Sequence, residues 1–532
     1  MADINLGVGG ANSATGGYEI ENSLKLEADN TEYLYKTNDA GTNRKTFTVS
    51  MWFKRTELAD DYMQLWQGGA FGEATRLGFY GGTPKEAIWV DIGGGTGNTG
   101  TLSRSYSNQV LRDTSAWYHI VLAVDTTQAT EANRFRLWLN GEEVTSWSQR
   151  QYPAQDYQCA LEAGIDMNWG AYNATYYKMS GYIAECHYLD GVTAVQTDFG
   201  EYDEDSGIWK PKAYAGSYGG NGCYLNFDDS ASLGADSSGN GNNFTLNNIT
   251  SADQATDTPT NNFCTLNPLS YNIPYTATQG NTKWSKNDTT YGMASGTHYV
   301  GAGKWYWEIK ATDFNTYSSC KFGIIDAAKP TVGANEIGYE DPSLSANDPE
   351  ILAMAGSPNG WFMNSNSTIS NNGSTDTVDY TFNEGDILAF ALDMDNGGYW
   401  MGNSRYQGVA NGSFWIAPKG TSGSVAITDP TNGNYAIVGD GGGTNLGTPN
   451  FNGGTINGGS LLTAGFTLVT PLLAAYHANV SVTLEVNFGG FTSYGETGGY
   501  SDENGYGNFA YPVPSGFYCL CSKNIAEFGG TA

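Results

Sequence analysis

Residues 46–55 read TFTVSMWFKR, a run in which apolar side chains recur at every second position. Four of them share one face of an extended chain: Phe47, Val49, Met51 and Phe53. Because successive side chains of a strand point to opposite faces, this spacing predicts a β-strand with one face in a core.

Similar segments follow in the first half of the chain. HIVLAVDT, which starts at His119, is apolar on both faces and predicts a central strand. FRLWL, from Phe135, alternates again and ends at Asn140-Gly141, a dipeptide typical of tight hairpins. GYIAECHYLDG, at 181–191, predicts one more strand.

The alternation resumes in the second half. GKWYWEIK, at 303–310, places Trp305, Trp307 and Ile309 on one face. GDILAFALDMDNGGYWM, at 385–401, predicts a hairpin with a tight turn, and VTLEVNF, at 482–488, predicts a further strand.

The composition agrees with these segments. The chain has 71 glycines in 532 residues, and 13% of its residues are aromatic but only 15% are charged. Coiled coils need many more charged residues, and disordered chains contain few aromatic ones. We therefore predict an all-β protein made of two antiparallel β-sandwiches in series, preceded by a short extended N-terminal arm.

The predicted organisation has four parts. Residues 1–18 form the arm, 19–250 the first sandwich, 251–262 a linker, and 263–532 the second sandwich with a Gly-rich insertion at 428–460. In the arm, Ile4, Leu6 and Val8 alternate, so that the arm can add a strand to the sheet of another protein and act as an anchor. A frayed terminus is the alternative.

The charge excludes some partners. With 25 basic and 55 acidic residues, the net charge is −30, which disfavours direct binding to nucleic acid and to anionic membranes. The most apolar stretch, Leu461 to Tyr476, is interrupted by polar residues, glycine and proline, so we expect no membrane insertion. The N-terminus has no basic start or apolar core, and the seven cysteines are scattered. Free buried thiols and assembly in a reducing cytoplasm are therefore expected.

Several segments of the first half resemble laminin G-like (concanavalin A-like) domains. These are TFTVSMWFKR, WYHIVLAVD from Trp117, FRLWLNGEEV from Phe135 and GYIAECHYLDG. The stretch ADSSGNGNN, at 235–243, resembles a turn common near the edges of such domains. The resemblance implies a jelly-roll type of sandwich.

The second half resembles a SPRY domain. GKWYWEIK is similar to that family's Gly-Lys-x-Tyr-Trp-Glu strand, FGIIDA (322–327) to its next strand, and the segment at 385–401 to its hairpin. The ending at 487–525 resembles that of many bacteriophage virion proteins, especially marine ones. Together the two resemblances imply a phage appendage protein.

This resemblance carries expectations about function. It implies a structural virion protein of tail fibre or tailspike type, which binds a host-surface glycan or receptor without catalysis. The expected partners are other virion proteins and further copies of the chain in a homotrimer, and the expected location is the virion surface. A capsid decoration or head fibre protein is one alternative, and a tailspike glycan hydrolase is another.

A search for catalytic patterns supports a binding role. The nearest strings to the Glu-x-Asp-x-x-Glu signature of one glucanase group, at Glu19 and Glu308, do not complete it. No serine has glycine at both −2 and +2, and no two of the four histidines have a metal-ligand spacing. Carboxylates on separate strands remain an alternative that spacing alone does not test.

Recognition is the remaining chemistry. Aromatic residues in sandwich loops stack on sugars, and Trp361, Tyr399, Trp400 and Arg405 lie near predicted loops or hairpin ends, so they are the candidate ligand-binding residues. Core packing is the alternative for each. We predict no cofactor other than structural calcium, which laminin G-like domains often hold. Its candidate ligands are Asp203, Glu204 and Asp205, for which a solvated acidic loop is the alternative.

Overall fold

The protein is described with a computed structural model. It describes residues 17–58, 62–70, 72–83, 85–94, 102–269, 276–286, 292–313, 320–326, 360–364, 368–371, 374–377, 383–395, 398–404, 468–475, 481–492, 494–495 and 498–529. Ile4, Leu6 and Val8 of the predicted arm, and the whole insertion 428–460, lie outside these residues. The chain forms two compact units, and the boundary between the first and the second unit lies between Asn262 and Phe263.

The strands of the first unit are, in chain order, β1 (Ser23–Leu26), β2 (Tyr33–Thr37), β3 (Thr46–Arg55), β4 (Met63–Gly68), β5 (Thr75–Phe79), β6 (Ala87–Ile92), β7 (Ser103–Val110), β8 (Trp117–Asp125), β9 (Phe135–Leu139), β10 (Glu142–Glu143), β11 (Trp147–Gln149), β12 (Asp166–Trp169), β13 (Gly181–Asp190), β14 (Gly200–Tyr202), β15 (Trp209–Pro211), β16 (Cys223–Leu225), β17 (Thr245–Asn247) and β18 (Gln254–Ala255). Short 3₁₀ turns occur at Glu131–Asn133, Gln196–Asp198 and Ser251–Asp253.

Two large antiparallel sheets are built from these strands. Sheet I has the order β10-β9-β8-β3-β13-β1-β18, with β16 paired to β13. Sheet II has the order β11-β7-β6-β5-β4-β12-β2-β17, and β14 and β15 form a small sheet of their own. Apolar side chains of both large sheets, such as Val49 of β3 and Val90 of β6, belong to one buried core.

The sequence patterns explain the centre of sheet I. TFTVSMWFKR forms β3 between β8 and β13, and its four alternating apolar residues are fully buried in the core. The predicted hairpin joins β9 to β10. Asn140 and Gly141 have φ values of 47° and 84°, the positive pair that a type I′ turn requires.

A second layer covers the outer face of sheet I. Trp52 and Trp138, which alternation directs away from the main core, are 4% and 2% exposed. Trp52 packs with Trp209, and Trp138 packs with Phe199, in two smaller apolar clusters. This layer comes from the acidic and Gly-rich residues after β13.

The predicted linker 251–262 is instead part of the first unit. Its strand β18 pairs with β1 at the edge of sheet I. The Ile20 amide donates to Thr260 Oγ1 at 3.0 Å, and Ser23 Oγ donates to the Asp257 carbonyl at 2.6 Å. The polar composition of 251–262 is typical of a solvated linker, but its polar groups form hydrogen bonds with residues at the start of the first unit.

The strands of the second unit are β19 (Thr276–Thr278), β20 (Lys283–Lys286), β21 (Gly292–Ser295), β22 (Lys304–Asp313), β23 (Cys320–Asp326), β24 (Gly360–Asn364), β25 (Thr368–Asn371), β26 (Ser374–Thr377), β27 (Ile387–Asp393), β28 (Gly398–Asn403), β29 (Val469–Ala475), β30 (Val482–Asn487) and β31 (Tyr518–Cys519). One helix, α1 (Ser522–Phe528), follows them.

These strands also form two sheets. Sheet III has the order β19-β20-β30-β22-β27-β28, and the short β31 runs parallel to β22. Sheet IV has the order β21-β29-β23-β24-β25-β26. Trp307 of sheet III and Ile324 of sheet IV belong to the same buried core. The apolar stretch from Leu461 contributes β29, so its described part is a core strand.

The all-β prediction is confirmed, since strands make up the regular structure of the described chain apart from α1 and the 3₁₀ turns. All seven cysteines are buried thiols. Within the described ranges, no helix has the length and hydropathy needed to span a membrane.

Candidate functional site

The structure corrects two of the four predicted ligand-binding residues. Tyr399 and Trp400 of β28 are 2% and 1% exposed. The Tyr399 ring stacks 6.1 Å from Trp307, and the Trp400 ring packs edge-on 5.8 Å from Phe517 of the C-terminal segment. Both faces of the hairpin are therefore covered, and neither ring is available to a sugar. The side chain of Trp361, and all of Arg405, lie outside the described residues.

A row of polar side chains crosses the outer face of sheet II. Cross-strand pairing aligns five residues on five neighbouring strands: Arg104, Asp91, Arg76, Gln67 and Asn168. Their chain neighbours, such as Leu77 and Val90, point into the core, so the row faces away from it. With strands ~4.8 Å apart, the row spans roughly 19 Å. We call these five residues the polar row.

Ion pairing and burial affect the charged residues of the polar row. Arg104 binds the fully buried Asp91 through two hydrogen bonds, Nε to Oδ1 at 3.0 Å and Nη2 to Oδ2 at 3.3 Å. Burial raises the pKa of Asp91, and the hydrogen bonds from Arg104 oppose that rise. Burial also lowers the pKa of Arg76, whose guanidinium lies 5.3 Å from the ring centre of Trp89.

Aromatic rings cluster beside the polar row. Tyr62 lies 4.7 Å from Trp89, 4.9 Å from Tyr177 and 5.4 Å from Tyr80, measured between ring centres. Trp89 and Tyr106 are buried beneath, whereas five tyrosines are partly or largely exposed: Tyr62, Tyr80, Tyr172, Tyr176 and Tyr177. We call these five the tyrosine patch. Tyr176, at 50% exposed, is the most accessible ring of the tyrosine patch.

The polar row holds part of the tyrosine patch in place. The side-chain amides of Gln67 and Asn168 both donate to the Tyr172 carbonyl. The backbone N–H of Gln64 donates to the Tyr177 carbonyl at 2.9 Å, and Tyr177 itself has a φ of 57°. A non-glycine residue in this left-handed region is strained, and such strain is concentrated at functional sites.

Three buried acceptors lie at the same place. Among the described residues, no group donates a hydrogen bond to Gln64 Oε1, Gln67 Oε1 or Asn168 Oδ1. Buried polar atoms are nearly always satisfied by protein, water or ligand. Gln64, Gln67 and Asn168 are 0%, 2% and 3% exposed, so these oxygens lie beneath the surface that a ligand reaches, and buried water is the partner that fits them.

The same face offers little for hydrolysis. Glycosidases of either stereochemistry use a pair of carboxylates. In the described polar row and tyrosine patch the carboxylate is Asp91, which is fully buried against Arg104. The arrangement can stack on and hydrogen-bond a ligand, but these residues do not supply an acid and a base.

Ser50 and His119 form a pair that resembles a nucleophile and its base. His119 Nε2 lies 2.9 Å from Ser50 Oγ, while Trp209 Nε1 lies 3.1 Å from His119 Nδ1. Because an indole nitrogen only donates, Nδ1 accepts and Nε2 carries the proton toward Ser50. Burial lowers the pKa of His119 to about 3. With its proton already on Nε2, the imidazole is not arranged to take one from Ser50.

A cluster around Glu185 was missed by the sequence analysis. Glu185 lies at a β-bulge of β13 with a φ of 51°, and its carboxylate accepts hydrogen bonds from Tyr224 at 2.5 Å and Tyr18 at 2.9 Å. His187 is 3% exposed, and the Tyr224 ring stacks on it at 4.5 Å. These contacts tie Tyr18 to the body of the first unit.

The acidic loop proposed for calcium is organised by its own hydrogen bonds. Asp203 accepts from the Ser206 amide and hydroxyl, both at 2.9 Å, and from Lys210 at 3.1 Å. The Ser206 hydrogen bonds and Lys210 lower the pKa of Asp203 to about 2. Within the part of the chain that the structure describes, no three His, Cys, Asp or Glu side chains are grouped to hold a metal ion.

Glu308 is a buried carboxylate with a structural role. It accepts four hydrogen bonds, from the hydroxyls of Tyr306 and Tyr494 and from the amides of Ala510 and Tyr511, each at 2.8–2.9 Å. These bonds join the C-terminal segment to β22. The glutamate of the GKWYWEIK motif thus stabilises the fold.

Comparison with known proteins gives one family match. The family model described as the concanavalin A-like lectin/glucanases superfamily matches residues 29–192. The first unit contains a concanavalin A-like jelly-roll domain. The matched range includes the whole polar row and the whole tyrosine patch. None of the curated proteins matches this sequence.

Solved structures similar to the chain include three of different kinds. The SPRY domain of human HERC1 is 12% identical, with 42% of this chain and 96% of that one covered and a TM-score of 0.24. Domain 4 of an extracellular arabinanase from Geobacillus stearothermophilus, solved with arabinotriose, is 15% identical, with 35% and 82% covered and a TM-score of 0.25. Tailspike protein 2 of the Escherichia coli bacteriophage CAB120 is 13% identical, with 33% and 23% covered and a TM-score of 0.25. Likenesses with TM-scores this low carry no argument about this chain.

Proposed function

We propose that the protein is a structural virion protein of a bacteriophage, of tail fibre or tailspike type, which binds a host-surface glycan without hydrolysing it. The observation that carries the binding role is the tyrosine patch beside the polar row. It lies on the outer face of sheet II, within the range that the lectin/glucanase family model matches. The ligand therefore binds the first unit rather than the hairpin of Tyr399 and Trp400.

A glycan fits the chemistry of this face. Exposed tyrosine rings stack on the apolar faces of sugar rings, and their hydroxyls bond to sugar hydroxyls. The net charge of −30 disfavours polyanionic ligands.

The virion role rests on the sequence resemblances. The C-terminal segment at 487–525 resembles the ending of phage virion proteins, and the two halves resemble the domains of a phage appendage. We further propose that the protein is a homotrimer on the virion surface, because three weak glycan sites on one attachment gain avidity. A capsid decoration or head fibre protein would use the same glycan site.

Binding is tested with purified host-surface polysaccharide and the Tyr176→Ala variant. We expect the dissociation constant to rise about tenfold, because losing one aromatic stack costs about 1.4 kcal/mol. The matched control is Tyr500→Ala, which removes a tyrosine of similar exposure (43%) from the second unit. Equal affinity of both variants and the parent protein would remove the tyrosine patch from the proposal.

The same preparation separates binding from hydrolysis. Incubating the protein with the polysaccharide and counting new reducing ends should give no sustained turnover. Turnover above ~1 per second, as in ordinary enzymes, would favour the glycan hydrolase instead.

A further inference from the structure

A lysine is buried at the end of β3, in contact with the end of the first unit. Lys54 is fully buried, and its Nζ lies 2.8 Å from Asp257 Oδ2 and 2.8 Å from Asn262 Oδ1. Asp257 and Asn262 are 1% and 5% exposed. An amine, a carboxylate and an amide thus meet in one buried place.

Asp257 and Asn262 are held in fixed orientations beside Lys54. Asn262 Nδ2 donates to the Ser115 carbonyl at 2.9 Å, which turns the amide oxygen toward Lys54. Asp257 Oδ1 accepts from Trp117 Nε1 at 2.9 Å, which leaves Oδ2 toward Lys54. The amide carbon of Asn262 is one C=O bond, ~1.2 Å, from the oxygen that Lys54 touches.

The surroundings favour chemistry over hydration. Lys54 Nζ lies 5.8 Å from the ring centre of Tyr182, which is fully buried, and the ring of Trp117 lies 6.3 Å from that of Tyr182. Where water is excluded, solvation no longer stabilises the charged forms of an ammonium and a carboxylate. Transfer of the proton to the carboxylate then yields a neutral, nucleophilic amine. Because the fold already holds the three groups together, the reaction avoids the entropy cost of bringing them into contact.

A second buried lysine provides a contrast. Lys25 is also fully buried, but its Nζ contacts two carboxylates, Glu32 at 2.9 Å and Asp253 at 2.7 Å. That arrangement is an ion cluster. Lys54 differs because one of its partners is a neutral primary amide, which can lose ammonia.

We propose that Lys54 and Asn262 form an intramolecular isopeptide bond, with Asp257 carrying the proton. Asp257 takes a proton from the Lys54 ammonium, and the resulting amine attacks the side-chain amide carbon of Asn262. A C–N bond forms to Nζ and the C–N bond to Nδ2 breaks. The proton held by Asp257 and one proton from Nζ leave with that nitrogen, so that a lysine ammonium and an amide become a secondary amide and an ammonium ion. No oxidant or cofactor takes part.

The bond would have a mechanical consequence. Asn262 is the last residue of the first unit, and β3 is at the centre of sheet I. A pull on the chain from Phe263 onward would then be transmitted to β3 rather than to the short edge strand β18. An appendage that holds a particle on a cell experiences such a pull.

Mass spectrometry of the intact full-length protein tests the proposal. We expect a mass lower than the sequence mass by one molecule of ammonia, and a digest that contains a branched peptide joining Lys54 to Asn262. An intact mass that matches the sequence would overturn the proposal. A loss of ammonia that maps to any other residue would overturn it as well.

Three variants with a matched control locate the chemistry. The Lys54→Arg variant lacks the nucleophile, and the Asn262→Ala variant lacks the amide. Each should therefore have the mass of its own sequence, with no loss of ammonia. Asp257→Asn should also keep the full mass, and ammonia loss in that variant would contradict the role of Asp257. Lys25→Arg, which changes the other buried lysine, should still lose ammonia. The parent protein alone decides whether the bond exists, so the result does not depend on whether each variant folds.

Discussion

His119 lies on β8 between Trp52, which stacks on it at 4.8 Å, and Trp209, which donates to its Nδ1. The residue is 1% exposed. The Trp209 indole donates to Nδ1, which suits the neutral ring. A protonated Nδ1 would face another N–H group instead of an acceptor. Burial therefore turns a residue that usually titrates near neutral pH into a neutral part of the core.

The first residue-scale prediction concerns acid. Since burial lowers the pKa of His119 in the folded protein from 6.5 to about 3, its stabilising contribution is complete above pH 6.5. As the pH falls from 6.5 toward 3, the unfolded chain takes up a proton that the folded protein does not. The free energy of unfolding should decrease there by up to about 1.4 kcal/mol per pH unit from this residue.

The measurement compares urea unfolding of the parent protein and His119→Gln at pH 7 and pH 5. The variant should lose less stability between these two pH values, although it is less stable at pH 7. An equal loss in both proteins would show that other groups cause the acid sensitivity. The Gln side chain has no proton to gain, so the comparison isolates the histidine.

At the scale of elements, the β9–β10 hairpin shows how a local signal depends on a distant layer. Asn140-Gly141 predicts the turn from sequence alone. The structure adds a second reason for the glycine, because a Cβ at Gly141 would lie 2.4 Å from the Trp209 ring of β15. The hairpin and the layer that covers sheet I therefore fit together only when this position has no side chain.

Gly141→Ala should accordingly destabilise the first unit by about 3 kcal/mol, from left-handed strain together with overpacking. Gly164→Ala is the control, since Gly164 has a φ of 79° but no heavy atom within 4 Å of a Cβ there. That change should cost only about 1 kcal/mol. Thermal unfolding of both variants measures the difference, and equal losses would mean that Trp209 moves aside without cost.

At the scale of the whole molecule, the N-terminal arm is the part proposed to hold the protein on the virion. The arm was expected to end at residue 18, but Tyr18 belongs to the first unit through its bonds to Glu185 and Tyr224. A truncation that tests the arm should therefore stop before Tyr18.

Deletion of residues 2–16 should leave a protein with unchanged thermal stability that is missing from assembled particles. The reason is that Ile4, Leu6 and Val8 would no longer add a strand to a virion partner. Quantifying the protein in purified particles gives the answer. Incorporation at the normal copy number would show that the anchor lies elsewhere in the chain.

The sequence indicated the strands of the sheet centres well. TFTVSMWFKR, FRLWL and KWYWEIK became β3, β9 and part of β22, because alternating burial is a local property that the order of residues states directly. It could not locate the binding face, since Asn168 comes beside Gln67 only through the register of β12 on β4, two strands that are distant in sequence. Nor could it show that Tyr399 and Trp400 are covered, because Trp307, which packs on Tyr399, and Phe517, which packs on Trp400, are both distant from the hairpin in sequence.

By itself, then, the sequence determined the all-β class, the main strands and the Asn140-Gly141 turn, all of which depend on neighbours along the chain. Tertiary structure alone decided that 251–262 closes sheet I, that Tyr62 and Tyr177 share a surface, and that Lys54 touches Asn262. The physical reason is common to these cases. Burial and cross-strand contact depend on which segments pack together in space, and alternation within one segment gives a side chain's face without saying what lies opposite it.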